Sequence, residues 1–115
     1  MTDYSKMSDL VINGLVIDAI SDGNQHHRPG KDSEVELLRE VNSVEFGEHV
    51  VNEEIIATFD PCNSWADAGP IIQESKIPLN PFRDEWVAGE RRNVKDKNPL
   101  RTAMIVFLMM KDAEV

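Results

Sequence analysis

The sequence predicts an α+β fold in which a small antiparallel sheet packs with about three helices, as two layers or as an α-β-α sandwich. Helix patterns occupy residues 8–20 and 98–110, while the middle of the chain contains short segments rich in β-branched residues. The 115 residues suffice for one hydrophobic core and not for two. We therefore expect residues 1–115 to form a single domain.

The first helix is predicted from Ser8 to Ile20. Ser8 offers an N-cap oxygen, and Asp9 places negative charge in the first turn, where the helix dipole favours it. Asn13-Gly14 could instead form a hairpin turn, but its flanks lack clear alternation, which favours the helix. Apolar side chains spaced four apart would form two adjacent stripes, namely Val11/Leu15/Ala19 and Ile12/Val16/Ile20.

The middle of the chain is predicted to contain a loop and several strands. Residues 21–33 read SDGNQHHRPGKDS, with two glycines, one proline and no apolar residue, so we expect a mobile loop. Apolar and β-branched residues predict strands around 35–41, 44–50 and 55–59, although the first also fits a helical turn. Residues 51–54 would form a turn between the second and third strands.

A second helix is predicted to begin at Asn63 or Ser64. Ser64 with Asp67 resembles a capping box, in which two side chains satisfy the first backbone N–H groups of a helix. A proline inside a helix removes a hydrogen bond, so we expect a kink or restart near Gly69-Pro70. Short extended pieces follow, and two prolines confine the first to a sheet edge. These pieces lie around residues 77–79 and 85–94.

The last helix is predicted to begin at Asn98, followed by Pro99 at a position that favours proline. All eight residues from Ala103 to Met110 are apolar, so we expect burial on every side. One face would pack on the sheet and the other on a helix or on a second chain, which leaves open a homodimer through residues 99–111. A membrane helix needs about 20 apolar residues, so we predict no membrane span.

The charge distribution excludes one large class of function. The net charge is −9, with 15 acidic and 4 basic residues in 1–75 and 6 acidic and 8 basic residues in 76–115. Nucleic-acid-binding proteins concentrate Lys and Arg to neutralise phosphates, so this balance argues against direct nucleic-acid binding. An acidic surface can, however, imitate nucleic acid for a protein partner. One cysteine and a start without a signal peptide fit a reducing cytosol.

The residues that could carry catalysis form no recognisable constellation. Cys62 precedes a predicted helix, but no spacing places a histidine beside it, and we interpret it as a structural thiol or a loop residue. His26 and His27 could bind a metal, yet a zinc site draws four ligands at recognisable spacings, and no such set is present in the sequence. We predict no catalytic residue, metal or cofactor.

A basic cluster near the end of the chain could contact an anion. Guanidinium groups hold phosphates through paired hydrogen bonds, and Trp65 could stack on a base. The neighbouring Glu90 and Asp96 weaken this positive field. The cluster comprises Arg91, Arg92, Lys95, Lys97 and Arg101.

Three segments carry a resemblance to a known family. DPCNSWADAGPII at 60–72, NPLRTAMIVFLMM at 98–110 and DYSKMSD at 3–9 resemble the NinX family of lambdoid bacteriophages. The resemblance spans the chain from end to end, although we match no individual residues in 21–51 and expect variation there. The resemblance implies a small α-β-α domain and a phage accessory role in the host cytoplasm, and it carries over no catalytic or ligand residue. It also implies that five residues of the first segment act together, through helix capping and packing or through ligand binding: Asp60, Cys62, Asn63, Trp65 and Asp67.

Three functional hypotheses follow. The leading one is a non-enzymatic accessory protein that binds a host or phage protein. The alternatives are a nucleotide or small-ligand binding protein and an acidic DNA mimic that inhibits a DNA-binding protein. The candidate binding residues are Asp60, Cys62, Asn63, Trp65, Asp67, Arg91, Arg92 and Arg101.

Overall fold

The computed structural model describes residues 3–89 and 94–114 and confirms the α+β class. The helices are α1 (Asp9–Ser21), α2 (Trp65–Ser75) and α3 (Pro99–Ala113), after a short 3-10 turn at Tyr4–Lys6. The strands are β1 (His27–Pro29), β2 (Val35–Glu45), β3 (Glu48–Phe59), β4 (Leu79–Phe82), β5 (Glu85–Ala88) and β6 (Val94–Asp96). They form two antiparallel three-stranded sheets, with strand orders β1-β2-β3 and β4-β5-β6.

Helix α3 lies at the centre of the hydrophobic core. It contacts α1 and α2 as well as strands β5 and β6 of the second sheet. Leu100 and every residue from Thr102 to Leu108 are buried, so the prediction of burial on all sides is confirmed for these turns and wrong for Met110. The same chain supplies this cover. A homodimer through α3 stays a prediction, and its contact would involve the last turns, where Met110 is exposed.

Helix α1 has the predicted start and a different buried face. The Ser8 hydroxyl accepts a hydrogen bond from the backbone N–H of Val11 at 3.2 Å, and Asn13-Gly14 lies inside the helix. Both predicted stripes are wrong in part, because Val11 at the end of one and Ile20 at the end of the other are each 47% exposed. The buried face consists of Ile12, Asn13, Val16 and Ile17.

Helix α2 runs from Trp65 to Ser75 without the expected restart at Gly69-Pro70. Pro70 removes only the hydrogen bond to the carbonyl of Ala66. Both residues are exposed, so water can reach that carbonyl. A single interior proline is therefore compatible with a continuous helix here.

The first sheet differs from its predicted layout. The hairpin turn lies at Phe46-Gly47, so the expected strand at 44–50 is split and the expected turn at 51–54 is wrong. The segment 21–33 is not loop throughout, since β1 lies within it and pairs with β2. Backbone pairing with a neighbouring strand accounts for β1, and such pairing leaves little signal in the local composition.

The second sheet has a proline in an edge strand, as the sequence predicted. Pro81 lies in β4, an edge strand, where its missing N–H interrupts no inner ladder. The first extended piece is shifted to Leu79–Phe82. The second is divided into β5, which ends at Ala88, and β6, which begins at Val94.

Candidate functional site

The carboxylate of Asp60, one residue after β3, connects several parts of the fold. Its Oδ1 accepts hydrogen bonds from Nδ2 of Asn13 at 2.7 Å and from Nδ2 of Asn63 at 3.1 Å. Its Oδ2 accepts from the Ser33 hydroxyl at 2.6 Å. The backbone N–H of Asp60 donates to Oδ2 of Asp67 in α2 at 2.9 Å. Asp60 thereby ties α1, the segment before β2 and α2 together.

Asn13 is the residue of this network that sequence reasoning missed. Its amide is fully buried, with Nδ2 donating to Asp60 and to the Ser33 carbonyl at 2.9 Å. Its Oδ1 accepts from the backbone N–H of Cys62 at 3.1 Å. An asparagine beside a glycine suggested a turn, whereas a lone polar residue among apolar helix positions was the signal for a buried polar contact.

Cys62 lies at the centre of the network as a buried thiol. Its carbonyl accepts a hydrogen bond from Nδ2 of Asn98 at 2.7 Å, which joins it to the start of α3. Burial, together with the nearby Asp9 carboxylate, raises the pKa of the Cys62 thiol to about 12. At neutral pH the thiol is therefore protonated and shielded from solvent, as expected for a structural cysteine.

Arg101 is the predicted cation that the structure connects to this network. Its guanidinium forms ion pairs with Asp9 at 2.7 Å and with Asp96 at 3.4 Å. It also donates to the backbone carbonyls of Ser5 and Met7, at 3.0 and 2.7 Å. These four contacts account for the low exposure of the side chain, which is 13%. Arg101 holds the N-terminal segment against α3.

The N-termini of all three helices meet in this region. The cap side chains are Ser8, Ser64 and Asn98, and the Asn63 side chain bridges Asp9 at 3.1 Å and Asn98 at 3.3 Å. We call Asp9, Asp60, Asp67 and Asp96 the N-terminal cluster. Because helix N-termini carry partial positive charge, this end of the molecule is favourable for carboxylates. The observed contacts of the cluster are those of helix capping and packing.

The candidate residues from the sequence therefore fall into three groups. Asp60, Cys62, Asn63 and Asp67 share one hydrogen-bonded network, and Arg101 joins it through Asp9. Trp65 is 60% exposed on the outside of α2. Arg91 and Arg92 lie outside the described residues.

A second candidate surface is a projecting hairpin, residues 39–54 of β2 and β3, which we call the hairpin arm. None of these 16 residues is buried. Seven paired positions at about 3.4 Å each give an arm of about 24 Å. The molecule accordingly measures 63 × 30 × 24 Å. The sequence predicted strands here, but it did not predict that they project from the rest of the domain.

The tip of the hairpin arm carries a fully exposed phenylalanine, Phe46. Phe46 and Gly47 have φ angles of 52° and 81°, as in the two-residue turns that join twisted antiparallel strands. Asn, Asp and Gly usually occupy the first of these positions, because a bulky side chain at positive φ is strained. An aromatic residue that is both strained and exposed favours a role in contact rather than in folding.

The two faces of the arm combine apolar and acidic side chains. Val44 is 73% exposed and Val51 is exposed as well. Two pairs of glutamates lie directly opposite each other, Glu40 with Glu53 and Glu45 with Glu48, and such like-charge pairs oppose the hairpin. With Glu54 and one arginine, Arg39, the arm has a net charge of −4. Its surface would therefore suit an apolar partner surface with basic residues.

His27 of β1 and the preceding His26 each lie near a single carboxylate. His27 Nε2 lies 2.9 Å from Asp18, and His26 Nδ1 lies 3.8 Å from Glu53. In residues 3–89 and 94–114, no group of three metal-binding side chains is present. Within the same ranges, no helix is long and apolar enough to cross a membrane.

Comparison with known proteins identifies a family that this chain matches. The family model described as "Bacteriophage P22, NinX" matches residues 3–111. The chain shows no significant similarity to a curated protein or to a solved structure. The matched range includes all three helices, the N-terminal cluster and the whole hairpin arm, apart from the last residues of α3.

Proposed function

Because the chain belongs to the bacteriophage P22 NinX family, we propose that it is a non-enzymatic phage accessory protein that binds a host or phage protein. It acts in the host cytoplasm, and its principal contact surface is the hairpin arm. Membership of the phage family supports the proposed role in infection of a host cell. The arm supports the mode of action, since its length and exposure exceed what the core of the domain requires.

The observation that carries this proposal is Phe46 at the arm tip. A fully exposed aromatic side chain adds nothing to the hydrophobic core, and its backbone conformation costs free energy of about 1 kcal/mol or more. Aromatic residues supply much of the affinity at protein interfaces, where a pocket on the partner buries them. Phe46 would be such an anchor, flanked by Val44.

The acidic charge of the arm defines the expected partner further. Complementary charge across an interface increases association rates and excludes wrong partners. Lys or Arg on the partner would neutralise the opposed glutamate pairs, Glu40/Glu53 and Glu45/Glu48, and would relieve their repulsion. The partner surface should therefore be an apolar pocket bordered by basic residues.

The nucleotide-binding alternative has weaker support. Trp65 is exposed and could stack on a base, but Arg101 already contacts Asp9 and Asp96, which neutralise its charge. The DNA-mimic alternative has a specific observation in its favour, since the arm presents five glutamates. A DNA mimic would bind the DNA site of its partner and would therefore compete with duplex DNA.

The proposal can be tested by site-specific photo-crosslinking in extracts of infected host cells. A photoreactive amino acid replaces Val44, and crosslinked products are compared between the otherwise native chain and Phe46→Asn. Val11→Asn is the matched control, because it removes an exposed apolar side chain from α1, away from the arm. We expect one discrete protein adduct that Phe46→Asn removes and Val11→Asn leaves intact.

Other outcomes separate the alternatives. Loss of the adduct on addition of duplex DNA would indicate a DNA mimic. If no arm-dependent adduct forms, while a nucleotide raises the unfolding temperature, the nucleotide hypothesis replaces this proposal. A ligand present at 100 times its dissociation constant should add about 2.7 kcal/mol to the free energy of unfolding.

A further inference from the structure

The three helices end beside one groove of about 530 Å³, opposite the N-terminal cluster. Since their N-termini also meet, α1, α2 and α3 run in the same direction. Apolar side chains from each helix line the groove: Ile20 from α1, Ile71 from α2, and Phe107 and Met110 from α3. The volume lies within the range of about 300–1,000 Å³ that is typical of ligand sites.

The same groove is strongly acidic for its size. Its charged lining residues are Asp22, Glu74, Glu114 and Lys111, so three carboxylates face one ammonium group. Each helix C-terminus adds partial negative charge, and parallel helices add these charges at one place. Neither α1 nor α2 has a basic residue in its last turn to offset them.

The two nearby lysines leave most of this charge unbalanced. Lys111 Nζ lies 3.5 Å from Glu114 and 5.5 Å from the ring centre of Phe107, so its charge offsets that of Glu114. Lys76, the C-cap residue of α2, is not part of the groove lining. Asp22 and Glu74 therefore face the groove without a cation from the lining.

We propose that this groove, which we call the three-helix groove, binds an arginine side chain of the partner protein. Ile20 and Met110, the exposed apolar residues of the lining, would cover the stem of the side chain, and its guanidinium would donate to Asp22 and Glu74. Arginine suits this place because its planar group is weakly hydrated and offers several donors to carboxylates. The inference rests on the proposed function only in naming a protein as the source of the cation.

The test is a titration of the full ¹⁵N-labelled chain, followed by amide chemical shifts. The probe is the capped tripeptide acetyl-Leu-Arg-Leu-amide, and the control peptide carries citrulline, an uncharged analogue of arginine. We expect saturable shifts at the amides of Ile20, Ser75 and Met110, which line the groove. The citrulline peptide should bind about tenfold more weakly.

Charge variants separate groove binding from general attraction. The double variant Asp22→Asn/Glu74→Gln should bind the arginine peptide about tenfold more weakly, because each exposed pair contributes a modest share. Lys111→Met should bind it more tightly, since the competing ammonium is lost. Glu45→Gln on the hairpin arm is the matched control and should leave the affinity unchanged.

Several results would overturn the inference. Equal affinity for the two peptides would show that the carboxylates do not recognise the cation. Free spermidine binding as tightly as the arginine peptide would identify the groove as a small-cation site instead. The peptide titration does not involve the arm. If the native chain forms no Phe46-dependent adduct but still binds the peptide, the proposed function is rejected and the groove remains a site for an arginine side chain.

Discussion

The side-chain amide of Asn13 in α1 donates a hydrogen bond of 2.7 Å to the carboxylate of Asp60 after β3, across 47 positions of the chain. Asn13 is completely buried, and both ends of its amide have partners. A buried amide stabilises a fold only when its donors and acceptors are satisfied. This contact therefore specifies how α1 docks against the end of the first sheet.

Replacing Asn13 with alanine should lower the free energy of unfolding by about 3 kcal/mol. The change removes a hydrogen bond to a charged group and leaves the backbone N–H of Cys62 without its partner. Urea unfolding, followed by circular dichroism, measures the difference. Asn24→Ala, at an exposed site after α1, is the control and should change the value by less than about 0.5 kcal/mol. Equal effects of the two changes would contradict the assigned role of Asn13.

Replacing Arg101 with lysine should lower the free energy of unfolding by about 2 kcal/mol. Lysine keeps the positive charge, but its single ammonium group cannot contact Asp9, Asp96 and the Met7 carbonyl at the same time, as the guanidinium group does. Thermal unfolding provides the measurement. The control is Arg28→Lys, because the pair between Arg28 and Glu36 is more exposed and should contribute at most about 1 kcal/mol.

The buried thiol of Cys62 predicts a loss of stability at alkaline pH. Its pKa is about 12 in the folded chain, against an ordinary value of 9.0. Below pH 9 both states keep the proton, whereas at higher pH only the unfolded chain releases it. The contribution of Cys62 to the free energy of unfolding should therefore fall by about 1.4 kcal/mol per pH unit between pH 9 and 12.

Comparison with Cys62→Ala isolates this effect from the titration of other residues. The free energy of unfolding of the native chain should fall more steeply with pH than that of Cys62→Ala. Denaturant unfolding at several pH values between 9 and 11 gives both slopes. Parallel slopes would mean that the thiol has a similar pKa in the folded and unfolded states.

Phe46→Asn should raise the free energy of unfolding by about 1 kcal/mol, even though it removes the proposed anchor. Asparagine adopts the positive φ of this turn with less strain than phenylalanine. Val44→Asn introduces the same asparagine at a nearby strand position, where it should lower the free energy of unfolding by up to about 1 kcal/mol. Denaturant unfolding measures the free energy of unfolding of both variants and of the native chain. A destabilised Phe46→Asn chain would mean that Phe46 supports the fold.

The sequence by itself determined the helix starts, because capping is local. Ser8, Ser64 and Asn98 each accept a backbone N–H two or three residues later, as predicted from residue type and position. The burial of α3 followed from its continuous apolar composition. Local chemistry also placed proline at a sheet edge and in the first turn of α3.

Only the tertiary structure decided which distant residues meet. The Phe46-Gly47 turn depends on the pairing of two long strands, and its phenylalanine masked the usual turn signal. Asn13 and Asp60 come together because α1 packs beside the end of β3. The common direction of the three helices, and thus the acidic groove at their ends, likewise follows from packing. Contacts across many residues of chain depend on the whole core, and the local pattern of a sequence does not encode them.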